Sequence, residues 1–137
     1  MAAPAGNYVA VMQAGNLLYI AGQLPKTAEG HLYTGRLGAD VTVEDGQKAA
    51  AACALNILAQ VAAASGALER IEAVLRLNGF VNATPDFTDH PKVIDGASDV
   101  VAAILGDVGR HTRVAVGVAG LPFNASVEID AVLQLKP

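Results

Sequence analysis

Two charged residues stand among small and apolar neighbours near the end of the chain. Arg113 begins the run Val114-Ala115-Val116-Gly117-Val118, and Glu128 lies between Val127 and Ile129. A charge in such surroundings is costly unless it has a partner. Two interpretations of Arg113 stay open: an ion pair with Glu128 or Asp130, or a planar fork that receives a substrate carboxylate.

The other residues that commonly carry chemistry show no comparable pattern. His31, His90 and His111 do not have metal-ligand spacing, and one cysteine completes no site. Cys53 falls on the apolar face of a predicted helix, which favours a small core residue over a nucleophile. We therefore expect no metal.

The charge balance bears on partners. Nine Lys and Arg face 13 Asp and Glu, for a net charge of −4, and the positive residues are scattered. Aromatic residues make up 4% of the chain, which leaves few platforms for stacking bases. Both features argue against nucleic acid as the main partner.

Length and composition predict one domain. A chain of 137 residues matches the size of a single core, so we expect one domain over 1–137. Met1 to Gly6 carries no signal-like pattern, and we expect no apolar run long enough to span a bilayer. With a single cysteine, these features predict a cytoplasmic protein.

The periodicity predicts strands around two helices. Thr42 and Asp45 form a capping pattern before an apolar helical repeat that stops at Gly66. A second helix is expected from Pro91 to Gly106. Strands are expected in two short pieces within 8–23, then at 71–82, 112–119 and 125–135, with a loop over 25–38. This order predicts an α+β fold: one mixed, mainly antiparallel sheet with both helices on one face.

The last two strands were expected to form a hairpin. A turn at Pro122-Phe123 would place Val116 opposite Ile129, with the valines of the first strand under the helices. Arg113 and Glu128 would then share the other face, roughly 13 Å apart along the hairpin. Because that face also carries small apolar residues, we expect a second subunit to cover it. A site that uses both charges would take one from each of two subunits.

Three short motifs follow one another along the chain. They are Tyr19-Ile20-Ala21-Gly22-Gln23-Leu24-Pro25, then Asn56-Ile57-Leu58, then Arg113 with Leu121-Pro122 and Val127-Glu128-Ile129. Together and in this order they resemble the Rid family (YjgF-like, or L-PSP endoribonuclease-like) of enamine and imine deaminases. The resemblance covers nearly the whole chain.

This resemblance implies a fold, an assembly and a reaction. The fold would be chorismate-mutase-like, and the assembly a homotrimer with sites between subunits. The reaction would be the cofactor-free hydrolysis of 2-aminoacrylate and related 2-imino acids to 2-keto acids and ammonia. The resemblance assigns the substrate carboxylate to Arg113 and the attacking water to Glu128. Backbone at Gly22 and Ala115 would line the pocket, and Tyr8 would close it.

The chain departs from the family pattern at three places. Ala21 replaces a serine, and Asp95 is the nearest counterpart of an asparagine in the site. Arg110-His111-Thr112 replaces the residues that usually precede the arginine. Two alternatives therefore stay open: a small-molecule binder or regulatory trimer without turnover, and a ribonuclease.

Overall fold

A computed structural model describes residues 3–137, so the part of the Met1–Gly6 prediction that concerns Met1 and Ala2 lies outside the described residues. Seven main elements follow along the chain: β1 (Val11–Ala14), β2 (Leu17–Gln23), α1 (Val43–Ser65), β3 (Ile71–Asn82), α2 (His90–Leu105), β4 (Thr112–Val118) and β5 (Val127–Leu135). The strands form one sheet in the order β1-β2-β5-β3-β4. Only β3 and β4 run parallel to each other, so the predicted mixed, mainly antiparallel sheet is confirmed.

The ends of α1 follow the sequence signals. Thr42 Oγ1 accepts a hydrogen bond from the backbone N–H of Asp45 at 3.1 Å. Gly66 ends the helix with φ of 91°, a left-handed conformation that glycine adopts without steric cost. One face of the helix, including Cys53 and Ile57, is fully buried. Capping and periodicity together define this helix.

α1 is also long and apolar enough to cross a membrane by length and composition alone. The prediction that no apolar run in the sequence is long enough to span a bilayer is therefore wrong for this helix. Half of its most apolar window is buried inside the protein, where α1 packs against α2 and β5. A core helix meets the same two criteria, so they do not make α1 a membrane span.

Both helices pack on the same face of the sheet, as predicted. On β5, the buried residues Val127, Ile129 and Leu133 point toward the helices. Gly79 on β3 lies directly beneath α2, because a Cβ at this position would be 2.6 Å from the Ile94 side chain. The small residue lets the helix approach the sheet.

The predicted hairpin of β4 and β5 is wrong. β4 pairs with β3 in parallel, and β5 pairs with β3 from the other side. Val116 therefore lies opposite Phe80, whose other neighbour is Glu128, and does not face Ile129. The segment after β4 carries the chain over the end of β3 instead of turning back beside β4.

The predicted faces of β4 are wrong as well. Arg113, Ala115 and Gly117 point toward α2, while Val114 and Val116 are 38% and 40% exposed on the uncovered face. Glu128 lies on that uncovered face, so it and Arg113 are on opposite sides of the sheet. Two strand spacings and three residues separate their Cα atoms, a distance of about 14 Å.

The alternation of buried and exposed residues along β3 is interrupted near its start. Register shifts break its pairing with β5 between Ile71 and Ala73 and between Val74 and Arg76. As a result Val74 is buried, whereas the next residue, Leu75, is exposed. Such bulges change which side chains point inward.

Candidate active site

The structure divides the six predicted site residues between two places. Around α2 and β4 lies the arginine cluster, which we define as Asp95, Ser98, His111 and Arg113, with Ala115 beside it. Around β2 and β5 lies the glutamate region, which we define as Tyr8, Gly22 and Glu128. One chain does not bring the two groups together.

Three contacts fix the guanidinium of Arg113. Nη1 lies 2.8 Å from Asp95 Oδ1 and donates to Ser98 Oγ at 3.0 Å, and Nη2 donates to the carbonyl of Pro91 at 3.0 Å. The predicted ion pair with Glu128 or Asp130 is therefore wrong within the chain, since Asp95 on α2 is the partner. Asp130 instead accepts a hydrogen bond from Asn78 Nδ2 at 2.6 Å.

These contacts leave part of the guanidinium available. Of its five N–H groups, three have acceptors. Within residues 3–137, the N–H of Nε and one N–H of Nη2 have no recorded acceptor. These nitrogens are neighbours on the planar guanidinium fork, a group that binds carboxylates. Ala115, two residues further along the same face, is only partly buried beside it.

His111 extends the arginine cluster. Its Nδ1 lies 2.7 Å from the Gly109 carbonyl and its Nε2 lies 2.8 Å from Ser98 Oγ. A carbonyl only accepts, so Nδ1 carries the proton, and in the neutral ring Nε2 accepts from the Ser98 hydroxyl. The lone pairs of Ser98 Oγ are then free to accept the hydrogen bond from Arg113 Nη1.

Sequence reasoning missed His111 and Ser98. It set His111 aside with the other histidines and did not single out Ser98. One signal was present: strand alternation places His111 and Arg113 on the same side of the chain. The helical partner Ser98 could not be found in this way, because the face that β4 turns toward α2 was assigned incorrectly.

Glu128 is the polar centre of the glutamate region. It lies against Gly22, where a Cβ would overlap its carboxylate, so a side chain at this position would displace the carboxylate. Among the described residues, no hydrogen bond or ion pair to the carboxylate is recorded. Burial, and secondarily the nearby charge of Asp130, raise the pKa of Glu128 above its ordinary value. A carboxylate in this condition is suited to accept a proton.

A cavity of about 640 Å³ opens next to Gly22. Its large apolar surfaces come from Tyr8, Leu24, Leu32 and Phe123. Ala21, the residue expected to replace a serine, also lines it. Asn56 on α1 holds one wall in place, because its Nδ2 donates to the carbonyls of Leu24 and Lys26, each at 2.9 Å. Two predicted site residues, Tyr8 and Gly22, thus share one cavity.

Cys53 does not belong to either group. It is completely buried, and burial first, then the charge of Glu128, raise the pKa of its thiol. The prediction of a core residue is confirmed. Across residues 3–137, no group of three or more His, Cys, Asp or Glu side chains is arranged to hold a metal ion.

Known proteins resemble this chain along almost its full length. The family model described as "YjgF/chorismate mutase-like, putative endoribonuclease" matches residues 1–133. Protein TCP17 of Trypanosoma cruzi is 52% identical over 136 residues, which cover 98% of this chain and 85% of that protein.

Two solved structures place the fold among these proteins. Atu1372 of Agrobacterium tumefaciens, a protein of unknown function, has 52% identity and a TM-score of 0.92 over 99% of this chain and 88% of its own. RidA of the Antarctic bacterium Psychrobacter sp. PAMC 21119 has 29% identity and a TM-score of 0.67 over 97% of this chain and 92% of its own. The chain therefore belongs to the YjgF/chorismate mutase-like family, which includes the Rid proteins, and it has their fold.

Proposed function

We propose that the protein hydrolyses reactive 2-imino acids and their enamine tautomers to 2-keto acids and ammonia. The observation that carries this proposal is the state of Arg113. Its guanidinium is fixed by three contacts, yet two neighbouring N–H groups keep no acceptor within the described chain. An immobilised fork binds a carboxylate with little further ordering cost, and a 2-imino acid carries its carboxylate next to the reacting carbon.

The chemistry asks little beyond orientation and proton transfer. Water attacks the carbon of the protonated imine while Glu128 accepts one of its protons, which gives a neutral carbinolamine. Glu128 returns that proton to the nitrogen, the C–N bond breaks and ammonia leaves, and the carbinolamine hydroxyl gives its proton back to the Glu128 carboxylate as the carbonyl forms. Ammonia then takes this proton and leaves as ammonium, which restores the carboxylate. The raised pKa of Glu128 favours this exchange, because a higher pKa makes its carboxylate a stronger base toward the attacking water. No cofactor is required for this sequence.

The geometry of the chain supports a site shared between subunits. Arg113 and Glu128 point to opposite sides of one sheet, so a small substrate cannot reach both in the same chain. The uncovered face also exposes Met12, Tyr19 and Val116, an apolar surface that a neighbouring copy would bury. We therefore include in the proposal a homotrimer whose sites each combine Arg113 from one subunit with Glu128 from the next.

The proposal is tested with imines generated in situ by an amino-acid oxidase. Release of ammonia is followed for the wild type, Arg113→Ala and the control Arg110→Ala, whose side chain is exposed and lies outside the arginine cluster. Losing a charge-assisted contact should lower kcat/KM roughly 30-fold to 5,000-fold in Arg113→Ala. The control should keep full activity. Normal activity in a folded Arg113→Ala variant would remove the carboxylate role.

One observation favours a second function. Asp95 already occupies part of Arg113, and its negative charge opposes an anionic substrate. A small-molecule binder or regulatory trimer without turnover would still bind a carboxylate through Arg113 but would not accelerate imine hydrolysis. Tight binding of a 2-keto acid by the wild type, with no acceleration of imine hydrolysis, would establish this alternative.

The family's description also raises ribonuclease activity. A net charge of −4 without a basic stripe predicts weak RNA binding that modest salt eliminates. Cleavage of single-stranded RNA at physiological salt, lost in Arg113→Ala or Glu128→Ala, would favour the ribonuclease. A cytoplasmic location fits the single buried, unpaired cysteine and is part of this proposal.

A further inference from the structure

The segment between β4 and β5 contains a strained aromatic residue. Phe123 has φ of 57° and ψ of 24°, the left-handed region that bulky side chains rarely adopt. Its ring is also 68% exposed. Asparagine or glycine would hold the same backbone with less steric cost, so neither local conformation nor core packing explains a phenylalanine here.

The surrounding structure enforces this conformation. The next residue, Asn124, accepts from the backbone N–H of Gly35 at 2.9 Å through its carbonyl. Its side-chain oxygen accepts from Asn82 Nδ2 at 3.3 Å, and Asn82 is buried at the end of β3. Backbone bonds from Asn124 to Leu121 and from Ala125 to Pro122 close the turn. The ring of Phe123 is thus presented on a fixed support.

The ring lines the cavity of about 640 Å³ that also contains Gly22. Tyr8, Leu24 and Leu32 contribute the other large apolar surfaces, and Lys26 contributes one positive charge. The cavity shares Tyr8 and Gly22 with the glutamate region, and it continues from them along an apolar wall. Its size and lining suit an organic group larger than a methyl.

We propose that Phe123 is a specificity-determining residue, and that this cavity binds the apolar side chain of the substrate. The preferred substrates are then 2-imino acids with large aliphatic or aromatic side chains, in preference to those with a methyl or a carboxylate-bearing side chain. This inference rests on the proposed function for the class of ligand. The unusual backbone is retained because it directs the ring into the cavity.

Binding of unreactive product analogues tests the inference without turnover. Phenylpyruvate, 4-methyl-2-oxopentanoate, pyruvate and 2-oxoglutarate are titrated calorimetrically into the wild-type protein. Phenylpyruvate should bind at least about tenfold more tightly than pyruvate, which corresponds to about 1.4 kcal/mol. Preference for 2-oxoglutarate would overturn the inference and assign selectivity to Lys26. Equal binding of all four would overturn it while leaving the carboxylate clamp intact.

Two variants separate the ring from the strain. Phe123→Asn removes the ring and tolerates the left-handed backbone, so it should raise Tm by about 4 °C and abolish the preference for phenylpyruvate. Phe123→Leu is the matched control, since it keeps an apolar group and the strain. It should leave Tm unchanged and retain most of the preference.

Three results contradict the inference. An Asn variant that keeps the preference would show that the ring does not select the ligand. A change in the mass of the assembly would make Phe123 a subunit-contact residue instead. Absence of binding by every keto acid would overturn both this inference and the proposed function, whereas binding without preference overturns this inference alone.

Discussion

The arginine cluster and the glutamate region differ in how completely the chain itself satisfies their charges. Arg113 has an ion pair, a hydroxyl and a carbonyl around it. For Glu128, no hydrogen bond is recorded within residues 3–137, and burial raises its pKa. One charge is held in place by contacts within the chain, whereas the other lies on a face of the sheet that residues 3–137 leave uncovered.

This difference indicates what each group needs from a neighbour. The arginine cluster is organised before a ligand arrives, and only its free fork remains to be used. The glutamate region has its charge and its cavity, but within residues 3–137 no cation forms an ion pair with Glu128. In the proposed trimer, the substrate lies between the Arg113 guanidinium of one subunit, which is the cation, and the Glu128 carboxylate of the next. Variants that lose Arg113 in one chain and Glu128 in another test whether the two groups act across subunits.

Mixed assemblies give the largest expected effect. Arg113→Ala and Glu128→Ala chains, each inactive alone, are unfolded together and reassembled. In a cyclic trimer, every mixed assembly has one interface that pairs an intact Arg113 with an intact Glu128. Random mixing makes about three-quarters of the trimers mixed, each with one good site in three. About a quarter of the wild-type activity should return.

Native mass measurement serves as the control for mixing. Each variant reassembled by itself should stay inactive, which excludes a contribution from refolding alone. Mixed trimers of verified composition that show no activity would mean that each site lies within one chain, and the shared site would be abandoned.

The elements were more predictable than their arrangement. Thr42, Asp45 and Gly66 fix α1 through contacts only a few residues apart, so the sequence contains all the information needed. The pairing of β4 depends on a crossover through α2, which local turn signals at Pro122-Phe123 do not encode. Nearby strands usually form hairpins, and that tendency led to the wrong neighbour here.

The faces of β4 were misassigned for a physical reason. A strand with one solvated face shows which side is buried, because polar residues mark the other side. On β4, Val114 and Val116 lie on the uncovered face, and Ala115 and Gly117 lie beneath α2. Larger apolar residues therefore mark the side without helices. The sequence singled out Arg113 and Glu128 as candidate site residues, but it did not identify Asp95 as the ion-pair partner of Arg113.

A smaller effect is expected from loosening the arginine cluster. Ser98→Ala removes the acceptor of one Nη1 hydrogen and the partner of His111 Nε2. Asp95 and Pro91 still hold the guanidinium, so kcat/KM for an imino acid should fall about tenfold. The change should appear mainly in KM, because orientation of the fork affects binding of the carboxylate.

Ser65→Ala is a matched control for this variant. Ser65 also lies in a helix, and its hydroxyl contacts the nearby carbonyls of Val61 and Ala67. It should not change KM. Rescue of KM by Ser98→Thr, which restores the hydroxyl, would support a positioning role. An unchanged KM in Ser98→Ala would show that Asp95 and Pro91 suffice.

The smallest effect concerns stability and has a defined sign. The folded state raises the pKa of Glu128. This group therefore favours folding only while it is protonated, and its contribution is fully present below its ordinary pKa of 4.5. That contribution is lost as the pH rises through the raised pKa. At neutral pH, Glu128→Gln should therefore unfold at a higher temperature than the wild type. The gain should stay below about 1 kcal/mol, because the carboxylate keeps contact with water. Lowering the pH toward 4.5 should remove the difference.

Thermal unfolding of the wild type and Glu128→Gln across this pH range measures the difference, with Glu72→Gln on an exposed stretch of β3 as the control. A Gln variant that is less stable at neutral pH would mean that a cation from a neighbouring subunit already pairs with Glu128 without substrate, and the contrast between the two regions would then hold only for the isolated chain.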